Sequence, residues 1–337
     1  HGLNAFLARV AAVKAGLPLE TTALNVNRLC SSGLQAIITA ATSLDHGDYD
    51  VAVAGGTESM SNFPYSSYKS RWGVRMENDQ LLDEIGFALA EPFSGTNEVH
   101  IGSTAENLVE KYDLSRERLD TYAVESQARA ARAIIEGLFK EQIIPIEVIE
   151  NKTTFQFDTD EQPRNSTFEQ LPKLKPIIKP DGKVTAGNSS GINDGAAALV
   201  LMRTEKTNEL QCKPLARIVD YAVAGVDPKY MGIGPVESTK KLLKKTGFKL
   251  SDFGLIELNE AFAAQVIACM DELGLDPNIT NVNGSGISLG HPIGATGAII
   301  TTKLIYEMRR RHVRYGLTTL CIGGGQGMSV IYENPEA

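Results

Sequence analysis

The sequence predicts an α/β fold made of two similar halves, and three observations predict it. Short apolar strands alternate with amphipathic helices towards both ends of the chain. Each half runs through the same succession: a reactive side chain at a loop-to-helix junction, the helix, a short strand, then glycines. Between them, from about 60 to 185, lies a section of different texture that reads as an inserted loop domain. The expected division is 1–205 for the first half, with its insertion, and 206–337 for the second.

Phe6, Leu7, Val10 and Val13 predict a helix over 5–17, closed by Gly16 and Pro18. A short strand is expected near 23–28. From Ser31 onwards Leu34, Ile37, Ile38, Ala41 and Leu44 keep helical spacing. Asp50 to Gly56 reads as a short buried strand running into a glycine turn. Ser61–Tyr68 is polar and aromatic. Ser115 is a good N-cap for one long helix over 115–136, stopped by Gly137. Residues 151–183, with Pro163, Pro172, Pro176 and Pro180, read as loop. A strand over Ala196–Met202 returns the chain to α/β grammar, and Leu255–Leu258 turns into the next helix.

The repeat is one of pattern. Cys30-Ser31-Ser32-Gly33 opens a helix leading to the strand Val51–Ala54 and Gly55-Gly56. His291-Pro292-Ile293-Gly294 opens a helix from Ala298 to Met308, leading to the strand Leu317–Ile322 and Gly323-Gly324-Gly325. This reads as an internal duplication.

Composition narrows the function. With 337 residues, 42% of them hydrophobic, the chain can bury one large core or two ordinary ones. A net charge of −8 argues against nucleic acid as partner, although a local basic patch could still hold an anionic small ligand. No apolar run reaches the roughly 18 residues of a membrane span. Four cysteines without CxxC spacing form neither a disulfide framework nor a zinc site, so no metal is expected and a reducing compartment fits. The first residue is His1 rather than Met, and no signal peptide is visible.

Cys30 is the first candidate for chemistry. A helix N-terminus favours the thiolate, whereas most free cysteines are small apolar core residues. Cys212 and Cys269 lack such a setting and read as core. His291 is held before a helix by Gly284, Gly286, Gly290, Gly294 and Gly297, where it could take a thiol proton or orient an oxyanion. His1 is terminal, His46 and His312 lie in polar stretches, and local sequence leaves His100 undecided. Cys321 runs into a glycine turn whose N–H groups would suit an oxyanion hole; alone, such a turn is only a strand crossing. Asn259 is either a plain N-cap or a holder of water or carbonyl oxygen.

Taken together, Val26–Gly33, Gly55-Gly56-Thr57-Glu58-Ser59-Met60, Asn259-Glu260-Ala261-Phe262, Gly290–Gly297 and Cys321–Gly327 resemble the thiolase family, in order and spacing. Arg71-Trp72-Gly73 and Gly225-Val226-Asp227-Pro228 are similar to the bacterial broad-range 3-ketothiolases and acetyl-CoA acetyltransferases. The resemblance implies a layered αβαβα arrangement, a homotetramer, and acyl-CoA substrates with coenzyme A as a substrate rather than a bound cofactor. It implies that Cys30 becomes acylated, that His291 activates it, and that Cys321 moves the proton of the acetyl methyl group. Asn259 would fix a water in one oxyanion hole, and the amides of Cys30 and Gly323 would form the other. His100 and Ser190 match pantetheine contacts, Arg164 a contact nearer the nucleotide, and Ala261 and Phe262 line the substrate. Arg164, Lys173, Lys175, Lys179 and Lys183 make a basic stretch that suits phosphates or is simply a solvated face.

A bacterial cytoplasmic location follows from the resemblance, with mitochondria or peroxisomes left open. Family members usually carry a further segment ahead of the position of His1, so the sheet beside Gly55-Gly56 is expected to show an open edge and apolar surface. Two other readings compete. A decarboxylating ketoacyl synthase would want two histidines, or a histidine and an asparagine, beyond the nucleophile, and the Cys321 stretch fits that poorly; a catalytically dead CoA-binding protein would not keep every reactive side chain.

Overall fold

The computed structural model describes residues 5–90 and 100–337. Helix α1 (Leu7–Lys14) gives way to Gly16, whose φ of +78° ends it. The strand expected near 23–28 does not form: residues 21–28 have no regular structure. They are tied to α1 by Asn25, which accepts from Ala8 N at 2.9 Å and donates to Ala5 O. A single 3-10 turn, Leu29–Ser31, leads into α2 (Ser32–His46) and then β1 (Val51–Ser59).

The section read as an insertion carries the small pair β2 (Tyr65–Ser66) and β3 (Leu82–Asp83), then α3 (Glu84–Ala88), α4 (Gly102–Lys111) and α5 (Arg116–Ile135). Ser115 caps α5 as expected, accepting from Arg118 N at 3.1 Å. The stretch read as loop begins instead with a hairpin of β4 (Ile146–Glu150) and β5 (Thr153–Phe157). Asn151 and Lys152 turn it with φ of +48° and +67°, the conformation a two-residue hairpin loop requires. The remainder is β6 (Asp194–Met202), α6 (Thr204–Glu209), β7 (Arg217–Gly225), α7 (Gly234–Thr246), β8 (Leu255–Leu258), α8 (Ala263–Leu273), α9 (Gly286–Leu289), α10 (Thr296–Arg310), β9 (Tyr315–Ile322) and β10 (Gln326–Glu333).

β1 and β6 pair antiparallel, from Val51 opposite Met202 to Ser59 opposite Asp194. The second sheet has the order β7-β10-β9-β8, with only β8 and β9 parallel. Helices α2 and α10 lie between the sheets. On one side Ile37, Ala40 and Ala298 meet Ala54, Ala197 and Leu199; on the other Leu34, Ile38, Ile300 and Leu304 meet Leu320, Ile322, Met328 and Val330. The opposite face of the larger sheet is covered by Val236 and Leu242 of α7 and Val266 and Cys269 of α8. The described residues thus form four packed layers, β-α-β-α. The outer face of the first sheet is open among the described residues, with Val51, Val53 and Val200 43%, 55% and 64% exposed.

The two central helices touch at equivalent glycines. A Cβ added at Gly33 would fall 2.8 Å from Ala298 N, and one at Gly297 would fall 2.3 Å from Leu34 N. The contact is reciprocal, and it brings the N-terminal ends of α2 and α10 together. Gly55 and Gly56 serve the same end. They are not a turn, because β1 continues through them. A Cβ at Gly56 would lie 2.0 Å from Gly294 O, so the bare strand lets the His291 loop lie against it.

Candidate active site

Cys30 sits in the turn that opens α2, packed against Met60 and Ile293. The backbone N–H groups of Gly323 and of Cys30 itself favour its thiolate. Burial opposes them and prevails, so the thiol is pushed up rather than down, against the expectation from the helix end. Cys30 therefore rests protonated and needs a base.

His291 supplies a group of that kind. Its loop is held by Gly290 at φ +101°, and its backbone N–H donates to Asn193 Oδ1 at 2.9 Å. Gly294 N donates to the Glu58 carboxylate at 3.1 Å, which fastens the loop to β1. Burial pushes the imidazole down to about 4, so the ring is neutral near neutral pH. Nδ1 faces Thr296 Oγ1 at 2.6 Å, and Nε2 faces Asn259 Nδ2 at 3.4 Å.

Asn259 follows β8 but does not cap α8: Phe262 holds the cap position. Its backbone N–H donates to Thr319 O on β9, while its buried Oδ1 has no hydrogen-bond partner in the protein. An orphan acceptor of that sort is suited to a bound water or substrate. Cys321, near the end of β9, is fully buried; burial and the nearby Cys30 push its thiol far up. The turn at Gly323 follows directly, and its N–H reaches the Cys30 thiol.

The residues matched to substrate binding fall partly beside this centre. Ala261 and Phe262 share a buried cluster with Cys321, Ile287 and Ile101. Ser190 N donates to Ala261 O at 3.0 Å, and Ser189 bridges to Phe262. His100 adjoins Ile101 at the start of α4, where its Nδ1 accepts from Gly102 N. Arg164 is exposed, with its guanidinium donating to Glu161 O and Pro163 O. Of the basic stretch, Lys179 pairs with Glu110 and Lys183 donates to Leu114 O, so those two are structural.

Elsewhere Cys269 is core, donating its S–H to Gly232 O at 3.2 Å, whereas Cys212, read as core, is exposed. His46 and His312 are exposed, and His1 lies outside the described residues. Sequence reasoning missed Glu58, Asn193 and Thr296. Glu58 and Thr296 stand inside the quoted motifs, but nothing in their spacing shows which backbone or ring they reach. Among the described residues no group of His, Cys, Asp or Glu could hold a metal, and no helix is long and apolar enough to cross a membrane.

A model described as the thiolase N-terminal domain matches residues 1–205, and one described as the thiolase C-terminal domain matches residues 212–334. The chain belongs to the thiolase family. It is an acyl-CoA C-acyltransferase of the thiolase fold, with coenzyme A as a substrate. Beta-ketothiolase BktB of Cupriavidus necator is 52% identical over 330 residues, covering 97% of this chain and 83% of its own. An acetyl-CoA acetyltransferase of Pseudomonas aeruginosa is 51% identical over 326 residues, covering 96% of this chain and 82% of its own. The crystal structure of human mitochondrial 3-ketoacyl-CoA thiolase is similar at a TM-score of 0.95 and 43% identity, over 98% of this thiolase chain and 83% of that one.

Proposed function

We propose that the chain condenses two acyl-CoA molecules, or cleaves a 3-ketoacyl-CoA with coenzyme A, through an acyl-enzyme on Cys30. The observation that carries this is a buried, protonated Cys30 whose sulfur meets the Gly323 N–H, in a centre with a neutral buried imidazole and a second thiol. His291 takes the Cys30 proton as the sulfur attacks the thioester carbonyl, and the Gly323 and Cys30 amides hold the oxyanion. The C–S bond to coenzyme A breaks and coenzyme A leaves as a thiolate, which takes the Cys321 proton only after the acyl-enzyme has formed. Cys321 is then a thiolate opposite an imidazolium.

That thiolate removes a proton from the α-carbon of the second acyl-CoA. The enolate oxygen is held by His291 and by a water on Asn259. The carbanion attacks the acyl carbonyl on Cys30, the new C–C bond forms, and Cys30 leaves as a thiolate that recovers its proton from His291. Every group returns to its starting state, which is the requirement of a ping-pong cycle. Thiolysis is the same path reversed.

The similarity to both a beta-ketothiolase and acetyl-CoA acetyltransferases supports acceptance of acetyl and of longer chains. We place His100 and Ser190 on the pantetheine, Arg164 towards the nucleotide, and Ala261 and Phe262 against the acyl end. A homotetramer in a bacterial cytoplasm is the assembly and setting that the family resemblance supports. Incubation with acetyl-CoA followed by peptide mass spectrometry tests the reading: the acetyl group is expected on Cys30, and its appearance on Cys321 alone would overturn the roles. Replacing acetyl-CoA by malonyl-CoA as donor separates this chemistry from decarboxylative condensation.

A further inference from the structure

We infer that Thr296 is a positioning residue that fixes the ring proton of His291 on Nδ1 and leaves Nε2 as the free base. The inference rests on the reading of His291 as the base for Cys30.

The assignment follows from counting protons on both sides of the ring. Thr296 Oγ1 lies 2.6 Å from His291 Nδ1 and 2.8 Å from Pro292 O. A carbonyl oxygen only accepts, so the single hydroxyl proton is committed to Pro292. Thr296 therefore turns a lone pair towards the ring, and Nδ1 must carry hydrogen to meet it. On the other side Asn259 Nδ2, which only donates, lies 3.4 Å from Nε2. That contact wants a lone pair on Nε2. The neutral ring has one ring-nitrogen proton to place, and both neighbours place it on Nδ1.

The opposite tautomer would set Nε2–H against an N–H donor. It would also force the Thr296 proton away from Pro292 to satisfy Nδ1. Neither contact is open to bulk solvent, since His291, Thr296 and Asn259 are 6%, 1% and 0% exposed. Thr296 itself is immobile in this role, since it is the first residue of α10 and that helix is locked against α2 at Gly297. A histidine with its proton on the wrong nitrogen cannot take the Cys30 proton, however well the ring is placed.

The test uses the full chain labelled with 15N-histidine, the His291 signals being those absent from His291→Asn. Wild type and Thr296→Ser are expected to show the Nδ1–H tautomer. Thr296→Val, which keeps the shape but removes the acceptor, is expected to lose that signature. Acylation of Cys30 by acetyl-CoA in Thr296→Val should slow by about 100-fold or more, towards the roughly 10⁴ seen where a catalytic histidine is held in the wrong tautomer. Thr296→Ser should return it to within a few-fold of wild type. A wild-type ring protonated on Nε2 overturns the proposal without any variant. So does a folded Thr296→Val that keeps the Nδ1–H signature or acylates at the normal rate. Failure of wild type to label Cys30 at all would instead sink the reading of His291 as base, and the tautomer measurement would be unaffected by it.

Discussion

A buried thiol and a buried imidazole each rest uncharged, and on the proposed reading that sets the order of events at Cys30. The thiol is held up and the ring is held down to about 4 by the same loss of solvent. Protonation of His291 therefore begins far below its ordinary value of 6.5, and its base form persists as pH falls. The rate of Cys30 acylation should lose its acid limb near pH 4 rather than near 6.5, and a rapid-quench pH profile checks it. The same depressed value means the unfolded chain binds the proton first. This residue's contribution to stability should then fall as pH drops from about 6.5 to about 4, worth about 3 kcal/mol in all. At Cys321 the expected outcome is a split between half-reactions. Cys321→Ser should leave acylation of Cys30 largely intact while condensation drops by orders of magnitude, because a hydroxyl carries protons poorly near neutral pH. Equal loss of both, measured by single-turnover labelling and by product formation, would assign Cys321 a structural role.

At the scale of elements, glycine spacing does the positioning. The pair Gly33 and Gly297 lets α2 and α10 meet backbone to backbone, and a methyl at Gly297 has only the Leu34 backbone and Cβ to meet. Gly297→Ala should cost about 1–3 kcal/mol by overpacking and slow Cys30 acylation. Gly86→Ala, with nothing near its added carbon, should leave the urea midpoint almost unchanged. These contacts also mark where reading the sequence stopped. The helix capped by Ser115, the strands Ala196–Met202 and Leu255–Leu258, and the His291 helix were legible because capping and periodicity are local properties. Gly55-Gly56 was read as a turn because a glycine admitting a distant loop looks, in sequence, like one that bends its own strand. The hairpin at Asn151-Lys152 was hidden for the opposite reason, since its turn lacks glycine. Cys30, His291 and Cys321 stood out by residue type and setting. The burial that holds the thiols up and the ring down, and the contact of Thr296 with the ring, are visible only in three dimensions.

Across the whole molecule, the second half is pinned by one buried ion pair. Lys303 of α10 lies 3.1 Å from Glu257 of β8 and donates to Gly284 O, so helix, sheet and the loop ahead of His291 meet at one ammonium group. Removing one partner strands the other charge away from water. Lys303→Met should destabilise the chain by about 3–5 kcal/mol, and adding Glu257→Leu should recover much of that loss. Urea denaturation of the two variants decides it; a double variant no better than the single one would show that the pair's worth lies in its packing.

The reciprocal crossing of α2 and α10 has a consequence for how such a site can exist. Cys30 lies in the turn ahead of one helix and His291 in the loop ahead of the other, so on the proposed reading neither half of the chain contains a working centre. Were the halves separate polypeptides, the reaction would take place at a subunit interface and its rate would depend on how much of each was made. Joined in one chain, the proposed nucleophile has its proposed base permanently at hand, at an effective concentration set by the connection rather than by the cell.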